Sequence, residues 1–188
     1  MSMTKTKLNT KLLALSAMFA ALITVATAFI TISDGSGYTH PGDSIVYLAA
    51  STLPFPYGII ASAIGGFFAD LLAGYPQWAL ITALIKAINC LPFVICRYLI
   101  NNKKNSSSNA QAKNNKILNL PIILSTIPSG IITVLGYTLA NILMISTEYA
   151  IANIPILCFQ GIIGAGLFIL LGASLDKIGF KQKLIHNN

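Results

Sequence analysis

Lys86 stands about nine residues inside an apolar run that begins near Trp78, where a charged side chain costs roughly 3 kcal/mol on insertion scales. Such a charge needs a partner, and Asp70, the nearest acid in sequence, is expected to supply it across a tight turn. Thr82 lies one helical turn before Lys86, so hydroxyl and ammonium share a helix face. That face either lines a pocket for a polar substrate or holds a structural ion pair. Tyr137, Asn141 and Glu148 follow at offsets of 4 and 7, which places them on one face at 100° per residue and makes a second candidate wall. Gln160 adds an amide that serves either a ligand or a neighbouring helix. Tyr38, Tyr75, Trp78 and Tyr149 fall near segment ends, as an interfacial aromatic belt or as a surface for stacking an aromatic ligand.

Nothing in the chain points to catalysis. His40 and His186 are far apart in sequence, and Cys90, Cys96 and Cys158 lack metal-ligand spacing, so no metal site is expected and the cysteines read as small packing residues. There is no phosphate-binding nucleotide motif, so the chain does not energise transport by itself. No cofactor is called for.

The elements that must position these groups follow from composition. Of 188 residues, 55% are apolar and 9% charged, against about 25% charged in a soluble domain, and mean hydropathy is +0.74. The solvent is therefore lipid. The net charge of +7 does not suggest nucleic acid, because the basic residues form no stripe among aromatics. Apart from Lys86 they gather in three polar stretches: Lys5 to Lys11, Arg97 to Lys116, and Lys177 to Lys183. The positive-inside rule puts all three in the cytoplasm, so the number of spans between them is even. Leu12 to Cys96, at 85 residues, holds four spans, and Ile117 to Leu175, at 59, holds two.

The expected fold is thus an all-α membrane protein of six transmembrane helices, with both termini cytoplasmic, in one integral domain over residues 1–188. The apolar run from Leu12 to Ser33 is too long for a signal-peptide core. The spans are expected near Leu12–Ile32, Asp43–Leu53, Tyr57–Leu72, Trp78–Leu99, Ile117–Ser146 and Ile154–Leu175, with Pro54-Phe-Pro56 forming an inner turn. The second is short for a full span and needs shelter from its neighbours. Residues 101–116, rich in Asn, Ser and Lys, read as a polar cytoplasmic linker, and Glu148 to Asn153 as a short outer loop. Small residues at Ala14, Ala17, Ala21, Thr24 and Ala28 form a stripe on the first span, suited to close packing inside the bundle or to docking on another membrane protein.

Six short spans, His40-Pro-Gly-Asp43 opening the second, and Gly65-Gly-Phe-Phe-Ala-Asp70-Leu-Leu-Ala-Gly74-Tyr followed by Thr82-Ala-Leu-Ile-Lys86 together resemble the substrate-binding S components of energy-coupling factor (ECF) vitamin transporters, nearest the riboflavin-type branch. The resemblance is strong over the first four spans and rests on topology over the last two. It implies capture of a vitamin or related heteroaromatic precursor under the first outer loop, then toppling on a transmembrane coupling subunit served by two ATPases in a bacterial cytoplasmic membrane. It places Ala17-Met-Phe-Ala-Ala21, with Ala14, at the coupling contact. The substrate-binding set is then Tyr38, His40, Asp43, Asp70, Trp78, Thr82, Lys86, Tyr137, Asn141 and Gln160. Flavins, pyridoxine, pyrimidines and deazapurine precursors all suit one cation, several aromatics and a few amides. A membrane scaffold and a stand-alone secondary transporter are the alternative functions.

Overall fold

The computed structural model describes residues 10–33, 38–105 and 116–181. Among these described residues the helices form six rods. The first is α1 (Thr10–Ala28), joined to the second, α2 (Gly42–Thr52), through a two-residue antiparallel pair, β1 (Ile32–Ser33) and β2 (Tyr38–Thr39). Then come α3 (Tyr57–Leu72), the pair α4 (Ala79–Asn89) and α5 (Leu91–Asn105), the pair α6 (Leu120–Leu124) and α7 (Thr126–Met144), and α8 (Thr147–Lys177). Among the described residues four rods are long and apolar enough to cross a membrane: Thr10–Ala28, Ala79–Asn102, Leu120–Met144 and Thr147–Lys177. Large apolar side chains such as Leu80, Leu143, Ile162 and Leu170 are exposed on the outside, while polar residues such as Asp43, Lys86, Asn89 and Gln160 are buried. That inversion suits a bundle whose surroundings are hydrocarbon.

α2 is short because it faces no lipid. All of its residues but Ile45 are buried, and it touches α1, α3, α4, α5 and α8. Tyr47 stacks on Phe93 with centroids 5.0 Å apart, and Phe168 meets both rings edge-on at 6.0 and 5.6 Å. Eleven residues rise only about 16 Å, so the last carbonyls of α2 end inside the bundle and need donors. Arg97 supplies them: its Nη1 donates to the carbonyl of Ala50 at 3.0 Å and to that of Leu53. A residue expected among the cytoplasmic charges therefore serves as an internal helix cap. Pro54 and Pro56 turn the chain between α2 and α3, and α3 has the bounds expected of it.

Three expectations need correction. The outer loop expected at Glu148 to Asn153 is helical: Ser146 caps α8 by accepting the Tyr149 N–H at 3.2 Å, and Glu148 sits in the first turn, where the helix dipole favours an anion. The same break at Ile145–Ser146 removes Glu148 from the face of Tyr137 and Asn141, leaving it exposed on α8. The polar linker begins later than residue 101, since α5 runs to Asn105; residues 106–115 lie outside the described residues. Where the chain resumes, Asp176 near the end of α8 accepts the N–H groups of Ile117 and Leu118 at 2.6 and 2.9 Å. Pro121 and Pro128 fall in the first turns of α6 and α7, where a missing N–H costs nothing.

Arg97→Met keeps the apolar stem and removes both donors, leaving the Ala50 and Leu53 carbonyls unpaired. A loss of about 2–4 kcal/mol is expected, read as a lower thermal unfolding midpoint in detergent; an unchanged midpoint would contradict the capping role.

Candidate functional site

Asp43 is the second residue of α2, fully buried, at a helix N-terminus that favours negative charge. Lys86 Nζ from α4 donates to Asp43 Oδ1 at 2.9 Å, and Gln160 Nε2 from α8 donates to Oδ2 at 2.8 Å. Lys86 itself is fully buried. Both carboxylate oxygens are thus engaged, and three helices from distant parts of the chain meet at one acid. Removing one partner of such a pair strands a charge in low dielectric, at about 3–5 kcal/mol.

The expected Asp70–Lys86 pair is not what forms. Asp70, on α3, instead takes a hydrogen bond from Thr82. Tyr137 Oη in turn donates to Thr82 Oγ1 at 3.4 Å. The ion pair goes to Asp43 because α2 lies at the bundle centre and brings its N-terminus beside α4, a juxtaposition that sequence distance conceals.

Among the buried side-chain polar atoms without a hydrogen-bond partner are Asp70 Oδ2 on α3, Asn141 Nδ2 on α7 and Asn153 Oδ1 on α8. Asn141 is one turn beyond Tyr137 on α7, and Asn153 lies seven residues before Gln160 on the buried face of α8. Asn153 was hidden from the sequence reading by its assignment to a loop. Buried amides and carboxylates without partners are uncommon, because each costs about 1–3 kcal/mol.

The remaining expected site residues are placed as follows. Trp78 caps the N-terminal end of α4, half-buried, one turn before Thr82. Tyr38 has its backbone in β2, which lies against α8. His40 is buried in the segment between β2 and α2. Below the site, toward Arg97, Asn89 Nδ2 donates to Thr133 Oγ1 and Ser129 Oγ donates to the Asn89 carbonyl, both at 2.7 Å, fastening α4 to α7. These polar fasteners carried no spacing signal in the sequence. Among the described residues no group of His, Cys, Asp or Glu is placed to hold a metal ion.

The small-residue stripe divides. Thr24 faces inward and donates to the Gly65 carbonyl at 3.0 Å, tying α1 to α3. Ala14, Ala17 and Ala21 face outward. Ala17 and Ala21, with Ile60, Ile64 and Phe68 of α3, line an apolar groove of about 530 Å³.

A family model described as "ECF-type riboflavin transporter, S component" matches residues 7–177. The chain belongs to this family. An uncharacterized protein from Pyrococcus woesei is 28% identical over 159 residues, covering 85% of this chain and 93% of its own length. As an ECF-type S component the chain is the substrate-binding subunit of a transporter and not an enzyme, and it is a multi-pass membrane protein. The family implies a vitamin substrate and an ECF module as partner in general terms.

His40 gives the β1–β2 end of the bundle a pH dependence. Burial, reinforced by the nearby Lys86 charge, pushes its imidazole down to about 4 from an ordinary 6.5. The unfolded chain therefore takes up the proton first as pH falls, and stability drains away between about pH 6.5 and 4. Melting temperature against pH should fall over that window in the parent and fall less in His40→Gln. Parallel curves would contradict the assignment.

Proposed function

We propose that this S component captures riboflavin, or a related uncharged heteroaromatic precursor, among α2, α3, α4, α7 and α8, from the side of the membrane where β1 and β2 lie. One observation carries the reading: on α3, α7 and α8, the helices packed about the Asp43–Lys86 pair that Gln160 completes, a buried donor at Asn141 and buried acceptors at Asp70 and Asn153 have no protein partner. A ligand with both donors and acceptors along a polar edge would complete them. Because the Lys86 charge is already balanced by Asp43, the site favours a neutral molecule over an anion. His40, Trp78, Thr82 and Tyr137 are the further wall of this site, with the segment from Tyr38 to Asp43 covering it. A scaffold would have no use for orphaned buried amides, which favours the ligand reading.

In this reading both termini and the linker around residues 101–116 are cytoplasmic, as the three basic stretches favour. The membrane is a bacterial cytoplasmic one. Delivery follows by toppling on a transmembrane coupling subunit driven by two ATPases. The coupling helix sits on the exposed face of Ala17 and Ala21, where the absence of bulk lets backbones approach.

Titration of the purified protein with riboflavin, followed by quenching of flavin fluorescence, should saturate. Asn141→Ala should weaken binding at least about tenfold, roughly 1.4 kcal/mol. It should leave the ligand-free melting temperature unchanged or higher, since it deletes a buried Nδ2 donor with no hydrogen-bond partner. Unchanged affinity with a lower melting temperature would make Asn141 a helix fastener. If riboflavin fails but another heteroaromatic compound raises the melting temperature, the substrate is that compound; if none does, the binding reading fails.

Ala17→Leu with Ala21→Leu should abolish co-purification of the coupling subunit and ATPases while ligand affinity is retained. Lost affinity in the isolated chain would place the stripe in internal packing, and an intact, transporting complex would place docking elsewhere.

A further inference from the structure

On the facing sides of α3 and α4, Gly66 and Asp70, one turn apart, meet Lys86 and Thr82, also one turn apart. Asp70 meets Thr82, and Gly66 meets Lys86. A Cβ at Gly66 would lie 2.7 Å from Lys86 Cδ, 3.4 Å from Cε and 3.2 Å from Thr82 Cγ2, where carbons at rest keep about 3.5–4.0 Å. The lysine stem therefore occupies the volume that any side chain at position 66 would need. Neighbouring Gly65 serves a different purpose, since its Cβ would strike the Ala20 carbonyl and Ile23 on α1; that glycine lets two helices touch.

We propose that Gly66 is a positioning residue for the substrate site: its missing side chain is the passage by which the Lys86 stem crosses α3 to reach Asp43 instead of Asp70. This rests on the reading of the cluster as a substrate site. Asp70 is the other carboxylate whose field reaches Lys86, and with Lys86 committed to Asp43 it keeps Oδ2 free beside its hydrogen bond from Thr82. A methyl group at position 66 would swing the stem away, strand Asp43 with Gln160 alone, and bring the ammonium toward Asp70. The pair that neutralises the site and the acceptor offered to substrate would be lost together.

The test is a cycle of variants in the purified full chain. Gly66→Ala in the parent is expected to lower the ligand-free melting temperature by at least about 5 °C and to weaken riboflavin binding at least about tenfold. In an Asp43→Asn, Lys86→Ala background, which has neither the stem nor the Asp43–Lys86 pair, the same change should leave the melting temperature unchanged or raise it, as the methyl fills vacated space. Equal losses in both backgrounds would mean that Gly66 serves helix packing, and no loss in the parent would mean that the stem has room; either overturns the proposal. Should that background fail to fold, Lys86→Ala alone, which also ends the side chain at Cβ, replaces it, with Gly66→Ala expected to cost less than half its effect in the parent and an equal cost overturning the proposal. The melting arm contains no ligand, so it fails only with the positioning argument. Failure of riboflavin to bind the parent would count against the substrate reading alone.

Discussion

A full positive charge inside an apolar bundle must be answered by a negative one, and here Asp43 answers Lys86 at 2.9 Å. Much of the architecture serves that contact. Asp43 reaches the bundle centre because α2 is buried along its length, and α2 can end there because Arg97 satisfies its last carbonyls. Gln160 occupies the second carboxylate oxygen, so α8 is fixed to the same point. The ion pair costs desolvation that its Coulombic attraction offsets only with good geometry. Stability alone is a weak reason for such a pair; a pre-set polar lining whose cation is already paired is a stronger one.

Much of the fold was legible because lipid imposes simple rules. Apolar length fixes where spans lie, basic clusters fix their parity, and prolines mark turns, so the bounds of α3 and the break at Pro54 and Pro56 followed directly. Lys86 stood out for the same reason. Its partner did not, because Asp43 lies 43 residues away while Asp70 is nearer along the chain, and the centrality of α2 is a tertiary fact. The start of α8 was read as a short loop from Glu148 to Asn153, although Ser146 and Glu148 make a good N-terminus for the helix that forms. That error hid Asn153, whereas Gln160, an ambiguous lone amide in the sequence, joins the centre of the site.

The bundle also separates two kinds of surface. The polar groups converge where α2, α4, α7 and α8 meet, whereas the α1–α3 groove is apolar and lined by alanines. Thr24 and its bond to the Gly65 carbonyl hold α1 against α3, so the groove keeps its shape without drawing on the polar cluster. In the proposed role, capture and docking use different faces and can be altered independently. Lys86 and Gly66 sit on the interface between α3 and α4 that connects them.

The central claim is that the orphaned polar atoms around a neutralised ion pair receive the substrate. A crystal structure of the protein grown with riboflavin tests it most directly. The account predicts the polar edge of the ligand within hydrogen-bond distance of Asn141 and Asp70, with Lys86 still paired to Asp43. Ligand bound elsewhere, for instance in the α1–α3 groove, with Asn141 and Asp70 untouched, would contradict it.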